Sequence, residues 1–235
     1  MPFFRLARTA RVGYNIPMPH PLIIFDLDGT LVDSYGAIQD SLAFAMQTLG
    51  FAPWPPEETK RRVGRGLDVL MKEAVGEANA VEGVRLFRTR YPQIFLQKTF
   101  LLPGVKETVA ALHASSKCLA VATNKPSDFS RDLLAHLDLS PYFSLVLGPL
   151  DVPHPKPHPD MIHAVLERLR FSPEQALYVG DMILDAESAS NAGVDCVLVA
   201  TGGNSPGELR ATGRSVLEDI RHLITLEVNH DPSSL

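Results

Sequence analysis

The sequence predicts an α/β fold: a Rossmann-like parallel sheet with helices on both faces, plus a small inserted α-helical cap. Three observations predict it. Short apolar runs of strand length recur along the chain. Stretches with one apolar helical face alternate with them, and that alternation implies a parallel sheet. One long block, residues 35–100, breaks the alternation with helical patterns alone.

The first run, Leu22-Ile23-Ile24-Phe25, is continuously apolar, as a buried parallel strand should be. It ends in Asp26-Leu27-Asp28-Gly29-Thr30. Further strands are predicted over Cys118–Thr123, Leu145–Leu147, Ala176–Val179 and Cys196–Ala200. Between them Val105/Val109/Leu112, Phe129/Leu133/Leu137 and Ile162/Val165/Leu166/Leu169 each mark one helix face, with Pro159 at the start of the last. A fourth helix over 183–192 closes at Gly193. In the interrupting block, Leu42/Ala45/Met46/Leu49, Leu67/Leu70/Met71/Ala74 and Val84/Phe87/Tyr91/Ile94 predict three helices, and Pro53, Pro55 and Pro56 punctuate the gap after the first. The domain reading is therefore a core of 18–34 and 101–235, a helical cap of 35–100, and a disordered tail of 1–17 or an upstream start before Met18.

The chain has 235 residues, 45% hydrophobic and 21% charged, with a formal net charge of −5. This is the balance of a globular protein with a sizeable core. It carries no basic stripe of the kind a nucleic-acid backbone requires, and no apolar stretch of membrane-spanning length. Cys118 and Cys196 fall inside predicted strands without a C-x-x-C pair, so both read as buried thiols in a reducing compartment. The expected setting is cytoplasmic, with no nucleic acid or membrane as partner.

Chemistry-bearing residues fall at the ends of four predicted strands. In Asp26-x-Asp28-Gly-Thr two acids stand two residues apart, and two close carboxylates favour a divalent cation with oxygen ligands, naturally Mg²⁺. Thr123 and Asn124 offer a hydroxyl and backbone N–H groups to phosphate oxygens. Lys156 lies in a segment stiffened by Pro153, Pro155, Pro157 and Pro159, where a fixed ammonium can balance phosphoryl charge. His154 and His158 flank it, and on an extended loop they read as solvated rather than metal-binding. Asp181 and Asp185 stand at a strand end and in the first turn of the next helix. Each group alone has an ordinary structural explanation, a turn, a cap or an exposed side chain. Four in this order at four strand ends do not.

In that combination the sequence resembles the haloacid dehalogenase superfamily of phosphohydrolases, over about residues 21–225, and its helical insertion resembles the cap of the phosphoglycolate phosphatase-like branch. The resemblance implies a Mg²⁺-dependent phosphatase acting on a small phosphorylated metabolite, with 2-phosphoglycolate as one candidate. It implies Asp26 as nucleophile and metal ligand, and Asp28 as general acid/base whose backbone carbonyl also binds the metal. Thr123 and the Asn124 backbone then hold the phosphoryl group, and Lys156 neutralises charge around Asp26. Asp181 is implied as a metal ligand and Asp185 as a ligand or an orienting acid. Val63-Gly64-Arg65-Gly66-Leu67 resembles the substrate-specificity loop of that branch, with Arg65 placed to bind a substrate carboxylate. Met182 departs from the small polar residue of many relatives. A sugar phosphomutase, a pyrophosphatase and a nucleotide hydrolase are the alternatives on this scaffold. The absence of histidine from 35–100 argues against the hexose phosphomutases, and Asp28 argues against a dehalogenase. A binding module without activity leaves the full catalytic set unexplained.

Overall fold

The computed structural model describes residues 20–227, so the tail predicted for 1–17 lies outside the described residues. The main sheet has six parallel strands: β1 (Leu22–Phe25), β4 (Cys118–Ala122), β5 (Leu145–Leu147), β6 (Ala176–Gly180), β7 (Asp195–Val199) and β8 (Ser215–Leu217). Their spatial order is β5-β4-β1-β6-β7-β8, which puts β1 at the centre. β1 pairs with both neighbours in register, Ile24 opposite Ala120 on one side and Tyr178 on the other. The topology reverses at β1, where an open α/β sheet leaves a crevice at its carboxyl edge.

Period-two alternation sorts the strand residues onto two faces. Ile23, Phe25, Leu119, Val121, Leu177 and Val179 meet α5 (Val105–Ala114), α6 (Ser127–His136) and α10 (His222–Glu227). Leu22, Ile24, Ala120, Ala122 and Tyr178 meet α7 (Asp160–Leu169), α8 (Ile183–Ala192) and α9 (Pro206–Ala211). All four β1 residues are fully buried, which is why the run is apolar at every position rather than at alternate ones. Truncating Phe25 to alanine in such a setting costs about 3–5 kcal/mol.

Four helices, not three, fill the interruption: α1 (Tyr35–Thr48), α2 (Pro56–Arg62), α3 (Leu67–Val75) and α4 (Glu77–Ile94). The sequence pattern missed α2 because it is too polar to show an apolar face. Its helical signal lies in its ends: Pro56 in the first turn, Glu57 and Glu58 beside it, and Lys60, Arg61 and Arg62 in the last turn, all matched to the helix dipole. A two-stranded antiparallel ribbon of β2 (Val32–Asp33) and β3 (Phe100–Leu101) joins the outgoing and returning chain, with Val32 opposite Leu101. The apolar core of these helices, including Leu42, Met71, Phe87 and Tyr91, is continuous with one face of the sheet. β8 was not predicted either, since three residues at a sheet edge carry too little periodicity. Cys196 is buried as expected, whereas Cys118 is only half-buried, its thiol 3.5 Å from the Ser144 hydroxyl. Among the described residues no helix is long and apolar enough to cross a membrane.

Candidate active site

β1 delivers Asp26 to the carboxyl edge of the sheet. Its backbone N–H makes the last ladder bond, to Val179 O at 2.9 Å. The chain then turns tightly, the Leu27 carbonyl accepting from the N–H groups of Leu31 and Val32 at 2.9 and 3.0 Å. Gly29 takes φ +87° at this turn, and a Cβ there would stand 2.5 Å from Asp181 Oδ2 and 2.6 Å from the Tyr35 hydroxyl. Glycine is required both for the backbone conformation and for the closeness of β6.

Three of the predicted carboxylates converge. Asp26, Asp181 and Asp185 each place an oxygen within 4.8 Å of the others, and all three are buried. The ammonium of Lys156 enters the group from the Pro-rich loop, 2.9 Å from Asp26 Oδ1 and 2.7 Å from Asp185 Oδ1. The Tyr178 hydroxyl lies 3.0 Å from the same nitrogen and donates to the Ala122 carbonyl at 2.8 Å. Asp185 is saturated with donors: its Oδ2 accepts the backbone N–H groups of Asp181 and Met182 at 3.1 and 2.9 Å, while its Oδ1 takes Lys156. Asp181 accepts from Thr30 Oγ1 at 2.8 Å. Asp26 is the least satisfied, because its contact with Lys156 leaves Oδ1 without an aligned hydrogen bond.

The electrostatics follow from burial. Desolvation raises the Asp26 carboxyl to about 6, the Asp185 charge adds to the rise, and Lys156 opposes it. Asp181 is pushed well above the ordinary carboxylate range by burial, then by Asp185 and Asp26. For Lys156, burial disfavours the charge, yet Asp185 and Asp26 outweigh it and hold the ammonium well above the usual lysine range. Three buried carboxylates facing one ammonium remain short of positive charge, and their donors are all oxygen. A hard divalent cation such as Mg²⁺ fits that set.

Asp28 does not join this cluster. Its carboxylate is held separately by Lys125, whose Nζ lies 2.9 and 3.1 Å from the two oxygens, and by the Ser34 hydroxyl. Lys125 is itself buried and stands 5.0 Å from the ring centroid of Tyr91 on α4. Burial disfavours its charge, but Asp28 and Tyr91 more than compensate and raise its pKa. Sequence reasoning passed over Lys125, Ser34 and Tyr91. Lys125 had a signal, since it directly follows Thr123-Asn124 at the same strand end; Ser34 and Tyr91 had none.

Thr123 is buried beside Asp26, with its backbone N–H on Leu147 O at 3.2 Å. The Asn124 side chain faces the inserted helices: its Nδ2 donates to Gly64 O at 2.9 Å and to Lys156 O at 3.1 Å, and its Oδ1 accepts from Lys156 N at 3.0 Å. Gly64 takes φ +122°, and a Cβ there would stand 2.3 Å from Met182 Sδ. The 63–67 segment is thus seated directly on the carboxyl edge, and Met182 is part of its seat. Arg65, next to Gly64, is exposed and makes no hydrogen bond or ion pair among the described residues. His154 and His158 correct the sequence expectation of an extended segment. A turn closed by His158 N–H on Pro155 O at 3.0 Å brings both rings onto Asp160.

The family model described as haloacid dehalogenase-like hydrolase matches residues 23–199. Over 206 residues the chain is 37% identical to a phosphoglycolate phosphatase of Salmonella typhi and 36% identical to that of Escherichia coli (strain K12), each match covering 77% of this chain and 82% of the relative. A solved structure described as a predicted phosphoglycolate phosphatase from Haemophilus somnus 129pt superposes with a TM-score of 0.84 at 29% identity, over 88% of this chain and 97% of that one. The chain therefore belongs to the haloacid dehalogenase-like hydrolase family, in the branch that resembles the phosphoglycolate phosphatases.

Proposed function

We propose that this phosphatase is Mg²⁺-dependent, hydrolyses a small phosphate monoester through a phosphorylated Asp26, and takes 2-phosphoglycolate as a substrate. The observation that carries the reading is the division of the acids into two settings. Asp26 lies buried with Asp181, Asp185 and Lys156, while Asp28 is anchored apart on Lys125 and Ser34. A nucleophile and a proton carrier need this separation, because they do different work on opposite sides of the phosphorus.

Asp26, Asp181 and the Asp28 backbone carbonyl are the residues that would hold the ion, with Asp185 fixing Lys156 and the Asp181–Met182 backbone rather than facing the ion itself. Bound there, Mg²⁺ supplies positive charge to the phosphoryl oxygens. A carboxylate oxygen of Asp26 attacks phosphorus, a P–O bond forms, and the bond to the leaving oxygen breaks. Asp28 gives the departing alkoxide a proton. It then takes one from the water that attacks the aspartyl phosphate, releasing inorganic phosphate and restoring Asp26. Thr123, the Asn124 backbone and Lys156 bind the phosphoryl oxygens throughout. Helices α1–α4 act as the cap that supplies substrate choice, since these core groups grip only what all monoesters share.

The test is phosphate release from 2-phosphoglycolate and p-nitrophenyl phosphate with Mg²⁺, for the full chain and for Asp26→Asn. The amide cannot serve as the nucleophile, so turnover should fall to background while the circular dichroism spectrum is kept. Substantial turnover by pure Asp26→Asn would remove the covalent route, and hydrolysis of p-nitrophenyl phosphate alone would remove the named substrate.

A further inference from the structure

The phosphatase reading uses Lys156 but leaves the two imidazoles on either side of it unemployed. His154 Nδ1 lies 2.9 Å from Asp160 Oδ2, and His158 Nδ1 lies 2.7 Å from Asp160 Oδ1. The rings stand 4.5 Å apart, centroid to centroid. One ligand-capable atom from each of the three residues lies within 4.8 Å of the other two.

We propose that His154, His158 and Asp160 form a second metal site, separate from the buried carboxylates, for a borderline divalent transition ion such as Ni²⁺ or Zn²⁺. The donor set decides the ion class. Two imidazole nitrogens with one carboxylate suit Zn²⁺, Ni²⁺ or Co²⁺, whereas Mg²⁺ prefers oxygen alone. The spacing is near what such an ion needs. Around Zn²⁺, ligands at about 2.0–2.2 Å in a tetrahedron stand about 3.3 Å from one another. The present N–O separations of 2.9 and 2.7 Å would open by only about half an ångström.

The proton count closes without an external base. In the neutral form an imidazole carries one ring proton, and a hydrogen bond to the Asp160 carboxylate places it on Nδ1. On binding, exchange with water returns the proton to the ring at Nε2 and leaves the Nδ1 lone pair for the ion. Water completes the coordination, since the His154 and His158 side chains are 63% and 48% exposed.

The loop is braced before any ion arrives. Four prolines limit its backbone. Asn191 Nδ2 donates to Pro157 O at 3.0 Å, Ser188 Oγ to His158 O at 3.3 Å, and Lys156 N to Asn124 Oδ1 at 3.0 Å. Binding therefore orders little that is not already ordered.

The experiment is calorimetric titration of the full chain with NiCl₂ in excess MgCl₂, which occupies the oxygen cluster. The expected result is one saturable Ni²⁺ site. It should disappear in His154→Ala/His158→Ala and weaken at least about tenfold in Asp160→Asn. The proposal is overturned if the full chain shows no saturable Ni²⁺ binding, or if the double variant binds with the original affinity. Should the double variant not fold, His158→Gln takes its place. An unchanged Ni²⁺ affinity in that variant, with an unchanged melting temperature, is equally decisive against the site.

Discussion

The ammonium of Lys125 bridges both carboxylate oxygens of Asp28, at 2.9 and 3.1 Å, and the two residues come from the ends of adjacent strands. The pair fixes the position of the Asp28 carboxylate, the group proposed to draw a proton from water in the second half of the reaction. Lys125 is in this sense a positioning residue. Lys125→Met should lower steady-state turnover by about 10–100-fold, the range for a hydrogen bond to a charged group. p-Nitrophenyl phosphate has a leaving group that needs no proton, so Asp26 should still be phosphorylated promptly. The variant should show a stoichiometric burst of p-nitrophenolate followed by slow release of phosphate. Rapid-mixing absorbance distinguishes this from a uniform slowing without a burst, which would deny Lys125 that role.

Removing the metal should make stability depend on pH through the buried carboxylates. Asp26 has its folded pKa raised from 3.8 to about 6, chiefly by burial. An acid raised in this way binds more protons folded than unfolded, so stability of the metal-free protein should fall as pH rises from about 4 to about 6. Asp181 shifts in the same direction. Mg²⁺ offsets the charge, so it should raise the melting temperature more at pH 7.5 than at pH 5. Melting curves in chelator and in saturating Mg²⁺ at both pH values test this, and an equal gain at both would contradict it.

The amino edge of the sheet carries a second ionic cluster, whose contribution to stability also falls as pH rises. His20 is buried; its Nδ1 lies 2.9 Å from Glu227 and its Nε2 3.2 Å from Asp195. Lys117 also reaches Glu227, at 2.9 Å. Burial alone would lower the His20 pKa, but the bonds and charges of Glu227 and then Asp195 raise it. Its stabilising share is complete below about 6.5, the unfolded value, and is lost as pH rises through the folded value. His20→Gln should therefore cost about 1–3 kcal/mol at pH 5.5 and less at pH 8.5. Urea unfolding at the two pH values measures the difference, and a larger cost at the higher pH would reverse the assignment.

Arg65 is the charged residue of the 63–67 segment that sits on the carboxyl edge. It is exposed and unpaired among the described residues, and its neighbour Gly64 is fixed to Asn124 at the carboxyl edge. Arg65→Ala should cost about 1.5–3 kcal/mol in kcat/KM for 2-phosphoglycolate and almost nothing for p-nitrophenyl phosphate, which lacks the carboxylate. Equal losses on both substrates would place Arg65 at the phosphate or in the scaffold.

The sequence by itself determined five of the six strands of the main sheet, because a strand buried on both faces must be apolar at every position, as Leu22–Phe25 is. It also placed the candidate groups Asp26, Thr123 and Asp181 at the ends of apolar runs, with Lys156 in the loop beyond β5. Local pattern could not show which of these groups would meet. Asp26, Asp181 and Asp185 converge because β1 and β6 are neighbours, and strand order is set by packing across the whole sheet. The same holds for the Asp28 carboxylate, whose spacing from Asp26 suggests one site for both side chains, whereas Lys125 from beyond β4 holds it apart. His154 and His158 came together only through the turn at Pro155, which prolines permit but do not announce. Periodicity records what one segment buries. Ion pairs between segments depend on distances that exist only once the sheet has closed its order and the helices have covered it.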